Sequence, residues 1–360
     1  MKKILLLIPS LVGGGAERVM VTLANNLSLN YDVEILTLTT TESFYKLDES
    51  VKVEGIGCVV NKKNAVTRFF TRTMSAFKGF FGIKHAINNK KPDVVIAFLN
   101  SVSQPLLLLK TFSKMRCKVI VSERADPNER GFLNRWFERY FFPRADIIVC
   151  QSKKVSEFFR EKDRKKTVII PNPICADAIP RMFDGERKKT IVGVGRLAEQ
   201  KNFTLLINAF SKMDKRFADY KLEIYGAGPM EKQLNEQIEQ LELTGKAFLM
   251  GAKKNVMFEI ADASLYVMSS NFEGFPNALV EAMATGLPVI STDFPTGVAS
   301  EIVKEENGIV VPIKDENALV VAMENLLSNE NRMRKMGLEN RKYLDILREE
   351  SVVAMWEKLF

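Results

Sequence analysis

Short apolar runs alternate along the whole chain with stretches in which apolar residues recur every three or four positions. The short runs predict buried β-strands, and the three- and four-residue spacing predicts amphipathic helices. Regular alternation of the two indicates an α/β protein built on parallel sheets. The predicted strands are Ile4–Ile8, Val33–Leu38, Val51–Ile56, Asp93–Phe98, Lys118–Ser122, Asp146–Cys150, Ile191–Gly195, Leu222–Tyr225, Ala247–Met250, Leu265–Met268, Pro288–Ser291 and Gly308–Val311.

Helical periodicity lies between these strands, and one interruption of the pattern predicts a domain boundary. The clearest helices are Ala16–Leu27, Glu129–Phe142, Phe203–Met213, Met230–Leu241 and Ala278–Ala284. The alternation stops at Pro171-Asn172-Pro173, and the charged stretch Arg181–Lys189 has no apolar period. We therefore expect a Rossmann-like domain over 1–170, a linker over 171–189 and a second Rossmann-like domain over 190–345.

Length and composition agree with two soluble domains. The chain has 360 residues, 46% of them hydrophobic and 27% charged, which suits a globular protein longer than one ordinary domain. No apolar run is long enough to predict a transmembrane helix. The start Met1-Lys2-Lys3 resembles that of a secretory signal, but Pro9 interrupts the apolar run, so a buried first strand is expected. Four scattered cysteines and one histidine predict neither a disulfide framework nor a zinc site, and a reducing cytoplasm fits.

Charge is distributed unevenly along the chain. Residues 1–180 carry a net +12 and residues 181–360 a net −4. An excess of positive charge favours an anionic partner for the first half, such as a membrane surface, a phosphate-bearing ligand or nucleic acid. No nucleic-acid-binding motif accompanies the charge, so nucleic acid is not expected as a partner.

A glycine-rich loop, Gly13-Gly14-Gly15-Ala16-Glu17-Arg18, follows the first predicted strand. Backbone N–H groups at the start of the next helix could face a phosphate there. A dinucleotide fingerprint would need a third glycine at Arg18 and an acidic residue near Thr39–Thr41, so that interpretation fails. Phosphate or sugar contact and a simple tight turn both remain open.

Two more loops carry residues suited to a diphosphate. Gly195 ends a strand, and Arg196 and Lys201 flank the loop that follows it. An arginine fork, a lysine and a helix N-terminus together would hold a diphosphate, although two solvated surface cations are also common. Gly226 and Gly228 follow the next strand and would let a ligand approach the backbone, unless they only make a turn.

The most specific segment is Glu273-Gly274-Phe275-Pro276-Asn277-Ala278-Leu279-Val280-Glu281. Glu273 falls in the loop at a strand's carboxyl end, and Glu281 about one turn into a helix. A carboxylate accepts two hydroxyl groups at once, so each glutamate suits a vicinal diol of a sugar or ribose. Phe275 and Asn277 would offer free N–H groups at the helix start. Paired catalytic acids, or two ordinary acids on a surface helix, are the alternatives.

The order of these four motifs resembles that of retaining glycosyltransferases of family four, which have the GT-B fold of two Rossmann-like domains facing a cleft. The resemblance spans nearly the whole chain and is most specific over 191–293. The segment Ser122–Pro127 looks like that of bacterial exopolysaccharide and lipid-linked oligosaccharide enzymes, such as amylovoran galactosyltransferases. By the same resemblance, a final helix over 346–360 would cross back to the first domain.

The resemblance implies a role for each matching position. Arg196 and Lys201 would bind the donor diphosphate and stabilise the leaving charge, and Glu281 would hold the ribose hydroxyls. Glu273 would face the donor sugar and, with Arg196 and Lys201, complete the catalytic group. The other implied donor-binding residues are Gly14, Gly15, Gly195, Gly226, Gly228, Gly274, Phe275 and Asn277.

The first domain would bind the acceptor, with Glu17, Glu123 and Arg124 as candidate residues. Many relatives carry a histidine near the place of Arg124, so this chain departs from the family pattern there. No Asp-x-Asp occurs in the sequence, so cationic side chains rather than a metal ion are expected to stabilise the diphosphate, and no cofactor is expected.

Two aromatic and basic stripes predict contact with a membrane or, alternatively, with the protein core. The first joins Phe69, Arg72, Phe77 and Phe81 within Val66–Lys84, where basic residues flank apolar ones at helical spacing. The second surrounds Trp136 and includes Phe137, Tyr140, Phe141, Phe142, Arg135, Arg139 and Arg144.

The expected activity is transfer of a hexose or N-acetylhexosamine, with retention, from a nucleotide-diphosphate sugar, with a UDP sugar as the expected donor. The acceptor would be a growing bacterial surface glycan on polyprenyl diphosphate, at the cytoplasmic face of the inner membrane. A nucleotide-sugar epimerase of the same fold, or a protein that binds the nucleotide sugar without turnover, is the alternative.

Overall fold

The computed structural model describes residues 1–58, 65–124 and 131–360, with the backbone alone for 65–70 and 72. The chain forms two compact units, one of Met1–Pro173 with Glu349–Phe360 and one of Ile174–Arg348. Within the described ranges, no helix combines the length and the apolar character needed to cross a bilayer.

The first unit is a parallel sheet with helices on both faces. Its elements are β1 (Lys3–Ile8), α1 (Gly15–Leu27), β2 (Asp32–Thr37), β3 (Lys52–Gly55), α2 (Ala65–Lys90), β4 (Val94–Phe98), α3 (Asn100–Phe112), β5 (Lys118–Ser122), α4 (Phe132–Phe141), β6 (Ile147–Cys150), α5 (Lys153–Glu157), α6 (Glu161–Arg164) and β7 (Thr167–Ile169). The strand order is β3-β2-β1-β4-β5-β6-β7. Successive residues of β1 point to opposite faces, so Leu6 packs with α1 and Leu7 packs with α3. A strand buried on both faces explains the unbroken apolar run in the sequence.

The second unit repeats this architecture. Its elements are β8 (Lys188–Val194), α7 (Phe203–Ser211), β9 (Lys221–Tyr225), α8 (Glu231–Gln240), β10 (Ala247–Gly251), α9 (Val256–Glu259), β11 (Ala263–Met268), α10 (Asn277–Ala284), β12 (Val289–Thr292), α11 (Val298–Ile302), β13 (Gly308–Val311), α12 (Glu316–Leu327), α13 (Glu330–Arg341) and α14 (Tyr343–Ile346). The strands are parallel in the order β10-β9-β8-β11-β12-β13. In both units the sheet is therefore doubly wound, as the sequence predicted.

Strand order reverses at one place in each sheet. In the first unit β1 lies between β2 and β4, and in the second β8 lies between β9 and β11. The loops that leave the carboxyl ends of such neighbouring strands turn to opposite faces and open a crevice, where doubly wound folds bind their ligands. The pairs β1/β4 and β8/β11 are therefore the places to look for sites.

The final helix, α15 (Glu349–Glu357), belongs to the first unit. Trp356 is 1% exposed, and its ring centroid lies 5.6 Å from that of Phe98 at the end of β4. The predicted single helix over 346–360 is interrupted, because α14 ends at Ile346 and α15 begins three residues later.

The segment predicted as a linker over 171–189 is tied into the second unit from Ile174 onward. The Arg187 guanidinium donates to the carbonyl oxygens of Ala261, Ala263 and Gly286 at 2.8–3.0 Å. Strand β8 then begins at Lys188, inside the predicted linker. The charged stretch Arg181–Lys189 is thus held by hydrogen bonds from the Arg187 side chain to backbone carbonyls. Such bonds leave no apolar periodicity in the sequence, so the pattern could not predict them.

Most predicted elements are present with small shifts of their ends. Lys118–Ser122 and Gly308–Val311 have the predicted bounds, whereas β7 was not predicted. Strand β7 is three residues long at the sheet's edge, with a mixed, partly exposed pattern that gives little apolar signal. The predicted helix Glu129–Phe142 begins at Phe132 within the described residues.

The glycines after β9 allow two loops of the second unit to touch. A Cβ on Gly226 would overlap the carbonyl oxygen of Gly195, and one on Gly228 would overlap that of Leu197. The Leu197 N–H donates to Ala227 O at 3.1 Å, which locks the loops together. Backbone fills the space beside both α-carbons, so the missing side chains serve the contact between loops. That Gly226 and Gly228 also admit a ligand stays a prediction.

We expect Gly228→Ala to lower the free energy of unfolding of the second unit by about 3 kcal/mol or more, since neither backbone can yield easily. Differential scanning calorimetry would measure the loss. Gly251→Ala is the matched control: its φ is +70° and nothing lies near its Cβ position, so it should cost only about 1 kcal/mol of backbone strain. Equal losses in the two variants would contradict the packing role.

Candidate active site

The residues predicted to hold the donor meet where strand order reverses in the second sheet. The loop after β8 carries Arg196 and Lys201, and the loop after β11 carries Glu273. Lys201 Nζ donates to Glu273 Oε1 at 2.6 Å, so the two predicted catalytic side chains form an ion pair. The side chains are 17% and 7% exposed, which places the pair in a partly dry environment.

The Glu273 carboxylate is held by three side chains. Oε1 accepts from Lys201 and, at 2.7 Å, from Ser270 Oγ, while Oε2 accepts from Gln200 Nε2 at 3.2 Å. An ionised carboxylate has about four acceptor positions. One position on Oε2 is therefore left for a ligand hydroxyl, and Lys201 keeps two ammonium hydrogens beyond the one it gives to Glu273.

Further hydrogen bonds tie the two loops to each other. Asn271 donates its backbone N–H to Gln200 O at 2.8 Å and its side-chain amide to Glu199 O at 2.8 Å. Its Oδ1 accepts from Asn202 Nδ2 at 3.1 Å, and Ser269 Oγ donates to Lys201 O at 2.9 Å. The crevice is thus a braced structure whose charged groups have fixed positions.

Gly195 and Arg196 contribute in different ways. A Cβ on Gly195 would lie 2.9 Å from Lys201 Cε, so the missing side chain gives the lysine stem room to run toward Glu273. Arg196 is exposed, and within the described residues no hydrogen bond or ion pair involves its guanidinium. An exposed arginine beside a fixed lysine can turn toward an incoming anion, and it also fits the alternative of a solvated cation.

Glu281 lies on α10, one turn after its start, and is half-buried. Tyr266 in β11 is fully buried. Burial, followed by the charges of Glu273 and Glu281, raises the pKa of Tyr266 well above its ordinary value. The two glutamates predicted to bind sugar and ribose therefore both act electrostatically on this phenol.

At the start of α10, one predicted donor is already used. The Asn277 N–H donates to Phe275 O at 2.9 Å, so the expectation of a free N–H at Asn277 is wrong. A tight turn after Gly274 closes this bond before the helix begins. Phe275 is buried, packing with the core beneath α10.

The glycine loop of the first unit contains its own anion. Gly14 is extended and precedes α1, and a Cβ there would overlap the Glu17 carboxylate. Gly14 and Gly15 were expected to offer this helix start to a phosphate, but the Glu17 side chain lies there. Glu17 itself was expected to bind the acceptor. A negative side chain in the first turn is favourable to the helix dipole without any ligand.

Glu123 and Arg124 follow β5 and are deeply buried, at 1% and 8% exposed. The Arg124 guanidinium contacts Asn172 Oδ1 and lies 3.9 Å above the Phe98 ring. The residues that follow Arg124 in the predicted Ser122–Pro127 motif lie outside the described part of the chain.

Of the predicted membrane-contact residues, Phe77 and Phe81 are 63% and 58% exposed on α2. The alternative that they face the core is therefore wrong for these two. The side chains of Phe69 and Arg72 lie outside the described residues. On α4, Trp136 and Tyr140 are exposed, whereas Phe142 of the same predicted stripe is buried just after the helix.

Sequence reasoning missed several side chains of the crevice, namely Gln200, Tyr266, Ser269, Ser270 and Asn271. A usable signal existed for the last three, because polar residues that directly follow a buried parallel strand lie at the ligand-binding edge.

In the described ranges, no group of three or more His, Cys, Asp and Glu side chains is arranged to hold a metal ion.

Two doubly wound units, each a parallel sheet with helices on both faces, are the architecture of the GT-B fold. The fold agrees with that of Anabaena HepE in complex with UDP, with a TM-score of 0.79, 14% identity and coverage of 100% of this chain and 99% of that one.

The chain belongs to the family-four glycosyltransferases. The family described as "Glycosyltransferase Family 4" matches residues 13–178, and "Glycosyl transferases group 1" matches residues 180–343. A Campylobacter jejuni α-1,4-N-acetyl-D-galactosaminyltransferase acting on GalNAc-α-(1→4)-GalNAc-α-(1→3)-diNAcBac-PP-undecaprenol is 29% identical over 95% of this chain and 93% of its own. The amylovoran biosynthesis glycosyltransferase AmsD of Erwinia amylovora is 26% identical over 92% and 91%. The resemblance found in the motifs is confirmed.

We expect a double-mutant cycle on Lys201→Met and Glu273→Gln to give a coupling energy of about 1.5–3 kcal/mol, because a partly dry ion pair with a charged hydrogen bond is lost. Calorimetric unfolding of the four proteins measures it. The exposed pair Lys189 and Asp219 is the control, and its coupling should be smaller because water and salt screen exposed charges. A coupling no larger than that of the control would count against a fixed Lys201–Glu273 pair.

Proposed function

We propose that this chain is a retaining glycosyltransferase that moves a hexose or N-acetylhexosamine from a UDP sugar to a growing bacterial surface glycan on polyprenyl diphosphate. The observation that carries the proposal is the braced Lys201–Glu273 pair beside Arg196 at the switch point of the second sheet. The Campylobacter relative is named for transfer to an undecaprenyl-diphosphate-linked saccharide, and the HepE structure holds UDP. Both support the donor and acceptor chemistry proposed here.

The donor diphosphate binds the two cations of the β8 loop. Lys201 gives its remaining ammonium hydrogens to one phosphoryl group, and Arg196 turns in from solvent to pair with the other. Glu281 accepts the ribose hydroxyls, and the open acceptor position on Glu273 Oε2 takes a sugar hydroxyl. Because Glu273 also fixes Lys201, the same carboxylate aligns both the sugar and the leaving group.

Transfer forms a bond between an acceptor hydroxyl oxygen and the anomeric carbon while the bond from that carbon to the diphosphate oxygen breaks. The acceptor attacks from the side of the leaving group, so configuration is retained, and the departing diphosphate oxygen takes the hydroxyl proton. Charge builds up on the diphosphate as the bond breaks, so fixed cations stabilise the transition state more than the ground state. These cations perform the work that a metal ion does in other sugar transferases.

We expect UDP to bind in EDTA and Glu281→Ala to weaken binding by about 1.5–3 kcal/mol, the contribution of a bidentate hydroxyl contact to a carboxylate. Isothermal titration calorimetry measures this, with GDP and NAD as comparators. Glu223→Ala is the matched control, since Glu223 is a half-buried acid of the same unit whose carboxylate accepts from the Tyr225 hydroxyl at 2.7 Å.

If GDP binds more tightly than UDP, the proposed site residues stand and the proposed donor nucleotide is wrong. Equal binding by Glu281→Ala and wild type would overturn the site, and a requirement for added manganese would overturn metal independence. An epimerase would convert the nucleotide sugar without any acceptor, and a protein that only binds would leave it unchanged. Product analysis with and without acceptor therefore separates the three activities.

We further propose that the first unit docks on an anionic bilayer through α4. Phe132, Leu133, Trp136 and Tyr140 fall on one side of this helix at helical spacing, and their side chains are 43–78% exposed. Arg135 and Arg139, also exposed, flank that side. An apolar face bordered by basic residues and aromatic rings is the pattern of an interfacial helix.

Helix α2 adds to this surface. Met74, Phe77 and Phe81 are 58–70% exposed along one side of it, and Lys84 is exposed nearby. Helix α3 packs against both α2 and α4, so the three helices cover the same face of the first sheet. The positive charge of the first half complements the negative surface of an anionic bilayer.

We expect the protein to sediment with vesicles containing phosphatidylglycerol at low salt, and Leu133→Gln with Trp136→Gln to reduce this at least tenfold, since each side chain loses about 1.5–3 kcal/mol of apolar burial. Val321→Gln, an exposed apolar residue of the second unit, is the control and should leave sedimentation unchanged. Binding that ignores these substitutions would exclude α4 as the docking helix.

A further inference from the structure

The first unit buries a positive charge that the proposed donor site does not use. Arg124 follows β5, and its guanidinium carbon lies 3.9 Å from the ring centroid of Phe98 and 5.7 Å from that of Trp356. The residue is 8% exposed. Burial lowers the pKa of this guanidinium to about 9, against the opposing charge of Glu123, so the group is a cation at neutral pH.

Only part of this guanidinium is satisfied. Nη1 donates to Asn172 Oδ1, which also accepts from Gln151 Nε2 at 2.8 Å. Nε and Nη2 are buried, and neither nitrogen has a hydrogen-bond partner among the described residues. In an arginine these two nitrogens lie on one edge of the planar group and point two N–H bonds in nearly the same direction, the geometry that matches two oxygens of an oxyanion.

Buried charged donors are normally paired, because leaving them dry and unbonded is unfavourable. Aromatic faces stabilise the Arg124 cation but accept no in-plane N–H bond. Glu123 does not fill the role in the described residues: its Oε1 accepts the Arg124 backbone N–H at 3.1 Å rather than the fork. Within the described ranges, the fork therefore holds two buried donors for which no acceptor is present.

The location supports a ligand rather than a structural defect. Phe98 ends β4 and Arg124 follows β5, so the fork lies at the carboxyl edge of the sheet, beside the β1/β4 reversal. The Glu17 carboxylate lies against Gly14 at the start of α1. Among the described residues near this edge, Arg124 is thus a buried cation with donors to spare.

We propose that the Nε–Nη2 fork of Arg124 binds a phosphoryl oxyanion of a substrate, at a site built from residues of the first unit. A sugar hydroxyl would not require a buried full charge, whereas a phosphoryl group supplies both the compensating charge and two oxygens at the right spacing. The phosphoryl group comes either from the nucleotide sugar or from a lipid diphosphate. This assignment of the source rests on the proposed function, but the existence of the oxyanion site does not.

The chain offers a built-in reporter for the test. Its two tryptophans are Trp136 and Trp356, so Trp136→Phe leaves a single indole beside Arg124. In that background, with Lys201→Met and Arg196→Met to remove the cations of the second unit, inorganic diphosphate should change the Trp356 fluorescence saturably. Diphosphate should also raise the melting temperature, which detects binding even where fluorescence is silent.

Arg124→Lys keeps the charge and loses the fork, so it should weaken diphosphate binding at least tenfold, and Arg124→Met should abolish it. Melting curves without ligand verify that each variant is folded. If Arg124→Met is not folded, the diphosphate binding of Arg124→Lys alone decides the test. Unchanged diphosphate binding in Arg124→Lys, or no effect of diphosphate on either fluorescence or melting, overturns the proposal.

Competition then identifies the source of the phosphoryl group. Displacement of diphosphate by UDP, without displacement by farnesyl diphosphate, assigns the fork to the donor, and the reverse assigns it to a lipid diphosphate. A chain that transfers sugar but lacks Arg124-dependent binding keeps the proposed function and loses this inference. If the chain binds diphosphate at Arg124 but transfers no sugar, this inference is kept and the proposed function is lost.

Discussion

The contact between the loops after β8 and β11 is the constraint on which the candidate active site depends. Because strand order reverses between β8 and β11, these strands send their chains to opposite faces of the sheet, and the crevice that opens would expose polar backbone. Gln200, Asn271 and Ser269 close that gap with hydrogen bonds, and Lys201 and Glu273 complete it with a paired charge. A charge pair held this way loses little freedom when a ligand binds, which is the physical basis of a pre-organised anion site.

The same topology gives the first unit a crevice with different contents. At the β1/β4 reversal the glycine loop is occupied by Glu17, and the buried cation is Arg124, which follows the neighbouring strand β5. In the second unit the lysine is already paired with a carboxylate, whereas the arginine of the first unit retains two buried donors. One architecture thus supports two electrostatic environments, since strand order fixes where a site lies and the loop residues determine what it attracts.

Local pattern was sufficient for most of the fold. The β1 residues Ile4–Ile8 are apolar without interruption because helices cover both faces of the sheet, and that requirement is visible in the sequence itself. Strand β7 was not predicted, because its three partly exposed residues at the sheet edge bury too little apolar surface to give a pattern in the sequence. Arg187 shows a related limit, since its bonds run to carbonyls 74 to 99 residues away and leave no periodicity nearby.

The sequence by itself determined the α/β class, the two doubly wound sheets, the family and the loops that carry charged residues, because each follows from local periodicity or from motif order. Tertiary structure alone decided what those residues do to one another. Gly226 and Gly228 serve contact with the backbone of 195–197, the Asn277 N–H is used internally, and Glu273 is bound by Lys201. The physical reason is distance: hydrogen bonds and ion pairs form within about 3 Å between groups that the chain brings together from dozens of residues apart.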